Sequence, residues 1–504
     1  MAEAYESVIG LECHVELSTR TKMFCGCTNA FGAPPNSNVC PVCLGLPGSL
    51  PVPNAEAIAS IIKIGLALGC EIATGSLFHR KNYFYPDMPK DFQISQYDLP
   101  VCVGGSLEVE VDGTKRTIGI TRVHMEEDTG KTTHAGSTGR IGQADYALVD
   151  YNRAGVPLVE IVSEPDMRTP EEARAYLTEL RATLEALGVS DVRMEEGSFR
   201  CDANISTRRV GETGLGIKVE VKNLNSIRSL ERALRHEEER QRAALGGGEA
   251  LVQETRHFDE ERGSTHTLRS KEEAFDYRYF PEPDLPPLEP DRAWVEQIRS
   301  SLPELPSARR ERYVGELGLR PEEARIIADS PATAAFFDRA VGLGAAPVPA
   351  ANWITQDLAG LLNEEKLEIS DPGNHVTPGE LVVLLEQVES GDLNNSSAKQ
   401  LLAAIFKGDL QQVGGKPLQV IPELPRAEVR GLIDSMGIRQ VTDTAAIDAW
   451  VDEAIAENPG PVEQYRSGKE GALNAVLGAV MKRSGGSADP KAVRELLLQR
   501  LSGS

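Results

Sequence analysis

Residues 5–17 read Tyr-Glu-Ser-Val-Ile-Gly-Leu-Glu-Cys-His-Val-Glu-Leu, and this stretch decides the fold of the first half of the chain. Apolar side chains occupy its odd positions from residue 9 onward, while Glu12, His14 and Glu16 occupy even positions. Side chains of a β-strand alternate between two faces, so the pattern predicts one buried face and one ionisable face. Two interpretations stay open: the solvated face of an edge strand, or a face that binds a cation.

Three further segments combine apolar residues with carboxylates in a similar way, namely residues 118–131, 158–166 and 217–226. If these strands share one sheet with the first, four side chains come together: Glu12, His14, Glu127 and Glu220. One imidazole and several carboxylates suit a hard divalent cation, most simply Mg²⁺ that keeps waters for substrate phosphates. The residues alone therefore point to a metal-dependent enzyme that acts on phosphate.

Other carboxylates are assigned to structure or to solvent. Glu160 and Glu164 are expected to stabilise local structure near Arg168 and are left outside the predicted site. Glu16 is expected to face solvent, and so is the acidic run 237–239.

Four of the eight cysteines form a close group with the pattern C-x-C followed by C-x-x-C. Two such thiolate pairs match a four-sulfur tetrahedral zinc site, whose ligands are predicted to be Cys25, Cys27, Cys40 and Cys43. The turn-prone loop 34–38 lies between the pairs. Ordinary buried thiols are the alternative, and a redox C-x-x-C is disfavoured because no βαβ unit surrounds it. Three other cysteines are predicted to be buried and free: Cys70, Cys102 and Cys201.

Length and charge narrow the class of protein. A chain of 504 residues is expected to form two to four domains. No apolar run is long enough to span a membrane and no signal peptide opens the chain, which predicts a cytoplasmic protein. The net charge of -23 opposes a basic nucleic-acid-binding domain, although it leaves room for a local basic patch.

The order of predicted elements indicates an α+β region followed by helices. Residues 170–187 form one amphipathic helix, with Thr169 as its N-cap and Gly188 as its end, and residues 226–245 form another. A proline cluster at 281–290 ends this region. Beyond it, helical patterns cover segments such as 321–328, 331–341, 353–362, 378–389, 444–457, 473–482 and 490–501.

Common nucleotide and hydrolase motifs are missing from the sequence. It contains no G-x-x-x-x-G-K-[ST] loop and no strand-flanked dinucleotide fingerprint. It also contains no G-x-S-x-G elbow and no H-E-x-x-H helix. The residues alone therefore do not identify the substrate.

A set of long motifs closely resembles the B-subunit family of the aspartyl/glutamyl-tRNA(Asn/Gln) amidotransferases. The resemblance runs from about residue 5 to the C-terminus and is densest before residue 290. The motifs are VIGLE at 8–12 with HVEL at 14–17, RKNYFYPD at 80–87, QISQ at 93–96, HMEED at 124–128, EIVSEPD at 160–166, EGS at 196–198 with RCDAN at 200–204, and YFPEPD at 279–284.

The resemblance implies a domain organisation. Residues 1–290 are expected to form a cradle-like, kinase-like catalytic domain of mixed sheet with a zinc knuckle. Residues 291–405 are expected to form a helical domain, and residues 406–504 a helical tail that contacts tRNA. In the tail, the cations expected to meet phosphates are Lys482, Arg483, Lys491 and Arg494.

The resemblance also implies a reaction. ATP and magnesium phosphorylate the side-chain carboxylate of glutamate or aspartate misacylated on tRNA. A partner amidase, the A component of the assembly, releases ammonia, which passes through a channel and attacks the acyl phosphate. A small C component completes a heterotrimer. The product is glutaminyl- or asparaginyl-tRNA.

Roles for individual residues follow from the resemblance. Magnesium binding is assigned to His14, Glu127 and Glu220, with Glu12 as a further ligand. Glu127 has an alternative role as acceptor of a proton from ammonium. Lys81 and Lys90 are expected to contact the substrate or line the channel, with surface lysines over aromatic rings as their alternative. The four-cysteine knuckle is expected to hold structural zinc, because some family members lack these thiols.

Two other classes of function compete with this interpretation. One is a zinc-stabilised RNA-binding module without catalysis, and the other is a self-contained metal hydrolase. The chain shows no Ser-Lys amidase signature, which favours an enzyme that depends on a partner.

Overall fold

A computed structural model describes residues 5–135, 145–270, 277–408, 444–484 and 488–502. The chain divides into two compact units, Met1–Pro306 and Ser307–Ser504. The first unit holds the sheets, and the second is helical. The fold is therefore α+β, as the sequence predicts.

The strands are β1 (Tyr5–Glu16), β2 (Glu71–Ile72), β3 (His79–Asn82), β4 (Phe92–Ser95), β5 (Cys102–Val103), β6 (Ser106–Val111), β7 (Thr114–Glu127), β8 (Lys131–Ala135), β9 (Tyr146–Asp150), β10 (Pro157–Ser163), β11 (Phe199–Arg209), β12 (Val219–Leu224), β13 (Glu254–Asp259), β14 (Ser264–Ser270) and β15 (Phe280–Pro281). The helices up to residue 406 are α1 (Ala55–Ala67), α2 (Pro170–Leu187), α3 (Ile227–Gly246), α4 (Arg292–Ser300), α5 (Pro306–Gly315), α6 (Pro321–Ala328), α7 (Pro331–Gly342), α8 (Pro347–Asn352), α9 (Ala359–Glu365), α10 (Pro378–Glu389) and α11 (Asn395–Phe406). A π-helix, Trp353–Leu358, joins α8 to α9.

The main sheet of the first unit has ten strands. Its order is β14-β13-β12-β11-β1-β10-β7-β5-β2, and β6 pairs with β7. Neighbouring strands are antiparallel except β12 and β13, which are parallel and joined through α3. Two small sheets accompany it, one of order β15-β3-β4 and one formed by the β8-β9 hairpin.

The opening stretch forms β1 in the middle of this sheet. β1 pairs with β10 on one side and with β11 on the other, so the edge-strand interpretation is wrong. The predicted alternation is confirmed: Ile9, Leu11, Cys13 and Val15 are buried, whereas Glu12, His14 and Glu16 are half-buried.

The buried face of the sheet packs against helices α1, α2 and α3 in one hydrophobic core. α2 matches the predicted bounds, with the Thr169 hydroxyl accepting from the backbone N–H of Glu172 and Gly188 in the left-handed conformation. α1, which begins at the N-cap Asn54, was absent from the sequence prediction. Its buried residues Ile58, Ile61, Ile62 and Leu66 recur at helical spacing, so the amphipathic pattern is nevertheless present in the sequence.

Two expectations about the first unit are corrected by burial. Glu237 does not face solvent: it is 0% exposed and contacts Arg240 and Arg256. α4 continues the first unit beyond residue 290, because Ile298 lies in the same core as the sheet. The unit ends at Pro306 rather than at the proline cluster.

The described residues of the second unit form two separate hydrophobic cores. One extends from Tyr313 to Phe406 and the other from Ile447 to Leu501. The last helices are Thr444–Glu457, Pro459–Arg466, Leu473–Arg483 and Pro490–Ser502, with a 3₁₀ turn at Glu470–Ala472. Residues 409–443 of the predicted tail lie outside the described residues. In the described part of the chain, no helix combines the length and apolarity that a membrane crossing requires.

Candidate functional site

The predicted acidic strands lie in one sheet. β12, β11, β1, β10 and β7 are consecutive neighbours, so all four predicted segments contribute strands to one sheet, whose two faces receive alternate side chains. Register decides which of them meet. His14 lies opposite Glu160 on β10, and Glu160 lies opposite His124 on β7. This row of polar side chains faces away from the helices.

The centre of the face is a cluster of His14, Glu126 and Glu160. The Nε2 atom of His14 lies 3.4 Å from a carboxylate oxygen of Glu160 and 3.8 Å from one of Glu126. One ligand atom from each of the three residues lies within 4.8 Å of the others. An imidazole nitrogen with two carboxylates is a donor set that suits a divalent cation.

The assignment of Glu160 to local structure near Arg168 is wrong. Its carboxylate lies between His14 and His124, 3.5 Å from the latter. Arg168 instead donates to the backbone carbonyls of Pro165 and Met167. Glu164 stays outside the cluster and accepts from the Thr121 hydroxyl at 2.9 Å.

Electrostatics keep this cluster charged. Burial opposes ionisation of Glu160, but His124, His14 and Lys81 hold the pKa of its carboxyl well below its usual range. Burial opposes the positive charge of His14 as well, yet Glu160 and Glu126 raise its pKa. Burial lowers the pKa of His124. The Glu160 carboxylate is thus ionised at neutral pH, with the ammonium of Lys81 close to the cluster.

Lys81 reaches the cluster from the small sheet. Its Nζ lies 3.7 Å from Glu126 and 5.2 Å from the centre of the Tyr277 ring. Burial disfavours the ammonium form, while Glu126 and the neighbouring tyrosines raise the pKa of Lys81. The interpretation of Lys81 as a surface lysine is therefore wrong, since its side chain is 21% exposed and points to the cluster.

Glu127 lies beside the cluster rather than in it. Its carboxylate accepts from the Lys90 ammonium and from the backbone N–H of Ile94, the latter at 2.8 Å. Adjacent residues of a strand point to opposite faces, so Glu126 shares the face of His124 and Glu127 does not. The Lys90–Glu127 pair lines a cavity of about 200 Å³ that extends to Cys25 and Cys43 of the knuckle.

Glu12 and Glu220 occupy the other flank of the cluster. Glu12 accepts from the Asn204 side-chain amide at 2.8 Å, and burial together with Glu160 raises its pKa. Glu220 accepts from the Thr255 hydroxyl at 2.7 Å and lies 3.0 Å from the Lys222 ammonium. β11 separates β12 from β1, yet Glu220 as well as Glu160 acts on Glu12 and raises its pKa, while Glu220 is also paired with the Lys222 ammonium.

Glu16 does not simply face solvent, because it is half-buried. Burial and the adjacent Asp128 raise the pKa of its carboxyl. Asp128 accepts from Arg200 at 2.9 Å and lies 3.7 Å from Arg153, and these cations lower its pKa against the effect of burial. The ionisable face therefore continues past His14 to the end of β1.

The four predicted zinc ligands are brought together. The Sγ atoms of Cys25, Cys27, Cys40 and Cys43 all lie within 4.8 Å of one another. The loop between the two pairs is anchored by the buried Lys22, whose Nζ donates to the carbonyls of Asn38 and Tyr151. The three other cysteines singled out by the sequence are buried and free, as predicted. The arrangement is compatible with a structural zinc ion.

Sequence reasoning missed Glu126 and Glu160 for identifiable reasons. Glu160 has Leu158 and Val162 as neighbours on its own face, so the strand shows no alternation. The signal for Glu160 was a single carboxylate within a run of apolar residues. A buried carboxylate needs a charged or hydrogen-bonding partner. For Glu126, the signal was its position two residues after His124, which places both side chains on the same face of β7.

The fold and the ionisable face define a known class of catalytic domain. Residues 7–296 match the family model described as the GatB/GatE catalytic domain, and residues 335–501 match the model described as the GatB domain. Curated relatives share this organisation along the whole chain. The B subunit of the aspartyl/glutamyl-tRNA(Asn/Gln) amidotransferase of Moorella thermoacetica is 51% identical, with 99% of this chain and 100% of that protein covered.

Two further relatives carry the same name. That of Carboxydothermus hydrogenoformans is 48% identical over 99% of both chains. That of Thermobifida fusca is 50% identical over 99% of this chain and 95% of its own. The chain therefore belongs to the family of aspartyl/glutamyl-tRNA(Asn/Gln) amidotransferase B subunits. It is a component of an amidotransferase, and the alternative of a non-catalytic RNA-binding module is not favoured.

Proposed function

We propose that this chain activates the side-chain carboxylate of glutamate or aspartate esterified to tRNA by transferring the γ-phosphoryl group of ATP to it. A carboxylate resists attack by ammonia at neutral pH, because its charge repels the nucleophile and oxide is a poor leaving group. An acyl phosphate has inorganic phosphate as its leaving group. Ammonia then forms the amide of glutaminyl- or asparaginyl-tRNA.

The observation that carries the proposal is the cluster of His14, Glu126 and Glu160 with Lys81 beside it. Phosphoryl transfer between two anions needs positive charge at the transferred group. The three ligand residues offer a seat for a divalent cation, and Lys81 supplies a fixed ammonium 3.7 Å from Glu126. A purely structural carboxylate cluster does not require two histidines, His14 and His124, on either side of Glu160.

The donor set of the cluster fits magnesium better than zinc, because carboxylate oxygens outnumber nitrogen and no thiolate is present. Magnesium bound there would neutralise charge on the phosphates of ATP. Glu12 extends the carboxylate set towards β11, and Glu220 is proposed as a more distant member. The metal role first assigned to Glu127 passes to Glu126 in this proposal.

The residues of the chain itself then have separate tasks. His14, Glu126 and Glu160 hold the charged centre, and Lys81 neutralises the substrate carboxylate as it approaches. Glu127, held by Lys90 and the Ile94 amide, is placed to accept a proton from ammonium on the opposite side of β7. The buried setting of Glu126 and Glu160 limits access of water to the activated carboxylate.

The remaining parts of the proposal concern zinc, partners and domains. The knuckle is proposed to hold a structural zinc ion. An amidase partner supplies ammonia and a small third partner completes the heterotrimer, consistent with the relatives being named as one component of a larger amidotransferase. The catalytic, helical and tail domains are proposed to divide near residues 290–306 and 405, with the tail contacting tRNA.

A reconstituted reaction tests this function. The chain is combined with its amidase and small third partners, glutamine, magnesium, ATP and glutamyl-tRNA, and product is measured after hydrolysis of the aminoacyl ester. We expect one ADP for each glutamine recovered from tRNA, and no amide without ATP. Amide formation that is independent of ATP, or ADP formation without any need for aminoacyl-tRNA, would contradict the proposal.

A further inference from the structure

Five tyrosines surround the approach to Lys81 and form what we term the tyrosine cluster: Tyr83, Tyr85, Tyr97, Tyr277 and Tyr279. Two pairs of rings are stacked. Tyr97 and Tyr279 have centroids 4.5 Å apart with planes inclined by 13°, and Tyr83 and Tyr85 have centroids 5.0 Å apart with planes inclined by 17°. Tyr277 meets Tyr279 edge to face at 6.1 Å. Such a concentration of aromatic rings at one lysine has no task in the proposed phosphoryl transfer.

The cluster joins the catalytic face to solvent. Tyr279 is its inner end: burial, opposed by Lys81 and reinforced by Glu126 and Glu160, raises the pKa of Tyr279 to about 12. Tyr97, stacked on it, is 58% exposed and is its outer end. An exposed ring therefore lies one stack away from Tyr279, which borders the residues that are proposed to hold the cation.

The covalent structure of the substrate determines which of its groups lies next to the tyrosine cluster. In an aminoacyl-tRNA the amino acid is an ester of the terminal ribose, so a chain of about nine covalent bonds connects a glutamyl side-chain carboxylate to the terminal base and limits how far apart they can lie. When that carboxylate is beside Lys81, the terminal adenosine must lie against the protein next to it. Aromatic side chains bind unpaired bases by stacking, irrespective of sequence.

We propose that the exposed ring of Tyr97, backed by Tyr279, stacks with the terminal adenine of the aminoacyl-tRNA and so positions the aminoacyl group at Lys81. This inference rests on the proposed function and names the surface that function would use. Tyr97 is a positioning residue, since it touches the base and not the reacting atoms. The rings that meet Tyr97 are Tyr279, stacked on it, and His79, edge to face at 6.3 Å, so its surroundings favour stacking of a base.

Binding of uncharged tRNA to the assembled heterotrimer tests the stack without catalysis. The probes are one tRNA with its complete 3′ end and one that lacks only the terminal adenosine. Wild type is expected to lose at least about 5-fold in affinity on truncation, the lower end of one base–aromatic stack. Tyr97→Ala and Tyr97→Leu are expected to lose the same factor on complete tRNA and to bind both probes equally. Tyr97→Phe keeps the ring and is expected to behave as wild type.

The matched control is Tyr146→Ala, because Tyr146 is 61% exposed on the β8-β9 hairpin and outside the cluster. It is expected to discriminate between the probes as wild type does. Stacking carries no counterion release, so Tyr97→Ala is also expected to leave the salt dependence of binding unchanged. Equal discrimination by Tyr97→Ala and wild type would overturn the inference.

Loss of the amidase partner from the complex on Tyr97→Ala substitution would also overturn it, since it would make the cluster a protein interface. The experiments distinguish failure of the proposed function from failure of the Tyr97 stack. If wild type distinguishes the probes but never forms amide, the proposed function fails while the stack stands. If wild type forms amide but Tyr97→Ala still distinguishes the probes, only the stack fails.

Discussion

The Nε2 atom of His14 lies 3.4 Å from the carboxylate of Glu160, directly across the β1-β10 pair. The same carboxylate meets His124 on the far side, 3.5 Å away. The three residues come from strands that are distant in sequence, and the register of strand pairing brings them side by side. One buried carboxylate thus connects two imidazoles in the middle of the sheet, and its removal is the sharpest mutational test of the cluster.

Glu160→Gln is expected to lower the rate of ATP-dependent amidation by at least about 100-fold, because the cluster loses the charge that holds its cation. Glutamine has nearly the same shape, so the sheet is expected to remain folded. The measurement is amidated tRNA formed in the heterotrimer reaction, together with circular dichroism of the variant. Glu164→Gln is the control, because that side chain contacts only the β7 flank through Thr121. Equal rates for Glu160→Gln and Glu164→Gln would remove Glu160 from the site.

The Lys90–Glu127 pair is expected to behave as a buried, coupled pair. The two side chains are 8% and 2% exposed. Lys90→Met leaves a buried carboxylate with one backbone donor, and we expect a loss of about 3 kcal/mol in the free energy of unfolding. Lys90→Met combined with Glu127→Gln removes the uncompensated charge and is expected to be more stable than Lys90→Met alone.

Urea unfolding of the four members of this double-mutant cycle gives the coupling free energy. The exposed pair Lys115–Glu108, with side chains 57% and 51% exposed, is the matched control and is expected to give a coupling near zero. If both cycles gave the same coupling, Lys90 and Glu127 would not form an isolated buried pair.

The cysteine knuckle is expected to bind one zinc ion per chain and to serve stability. Cys43→Ser is expected to reduce the zinc content from about one equivalent to near zero and to lower the melting temperature, because ligand loss is coupled to folding. Metal analysis and thermal unfolding check this. Cys70→Ala is the control, since Cys70 is a buried thiol outside the group, and it is expected to retain zinc. Retention of a full equivalent of zinc by Cys43→Ser would refute the assignment.

The buried Glu237 is expected to make stability depend on pH. Burial raises its pKa, but Arg240 and Thr265 outweigh burial and hold it below the usual range. A lowered folded pKa contributes stability above the unfolded value of about 4.3, and this contribution is lost as the pH falls through the folded pKa. Glu237→Gln is therefore expected to cost about 3 kcal/mol at pH 7 and progressively less below pH of about 4.

Denaturant unfolding of wild type and Glu237→Gln at several pH values measures this difference. Glu239→Gln is the matched control, because Glu239 is exposed on the same helix, and it is expected to change stability by less than about 0.5 kcal/mol. A difference between Glu237→Gln and wild type that stayed constant from pH 7 to pH 3 would contradict the stated cause.

Local sequence patterns predict most of the helices and strands. The register of strand pairing determines which residues form the site. The alternation in β1 and the caps of α2 depend on neighbours along the chain, so they were readable. Glu126 rather than Glu127 shares a face with Glu160 because of the register in which β7 pairs with β10. The sequence around these two glutamates does not indicate which strand pairs with β7 or in which register. The two residues are adjacent and differ only in the face of the strand to which they point.

Burial of charge was the other point where local pattern failed. The run 237–239 has the composition of a solvated helix face, yet Glu237 is paired with Arg256, which comes from a distant strand. Glu16 likewise lies against Asp128 because β1 and β7 both border β10. Charged residues are read as exposed by default, and only their long-range partners reverse that expectation.

We propose that the γ-phosphoryl group of ATP is transferred to the substrate carboxylate before ammonia attacks. The direct measurement uses glutamyl-tRNA whose side-chain carboxylate carries ¹⁸O, in the heterotrimer reaction with ATP, magnesium and glutamine. When that carboxylate attacks the γ-phosphorus, one of its oxygens leaves with phosphate as the amide forms. With both carboxylate oxygens labelled, we expect one ¹⁸O in the inorganic phosphate for each glutamine formed on tRNA. Amide formation accompanied by phosphate without ¹⁸O would contradict it.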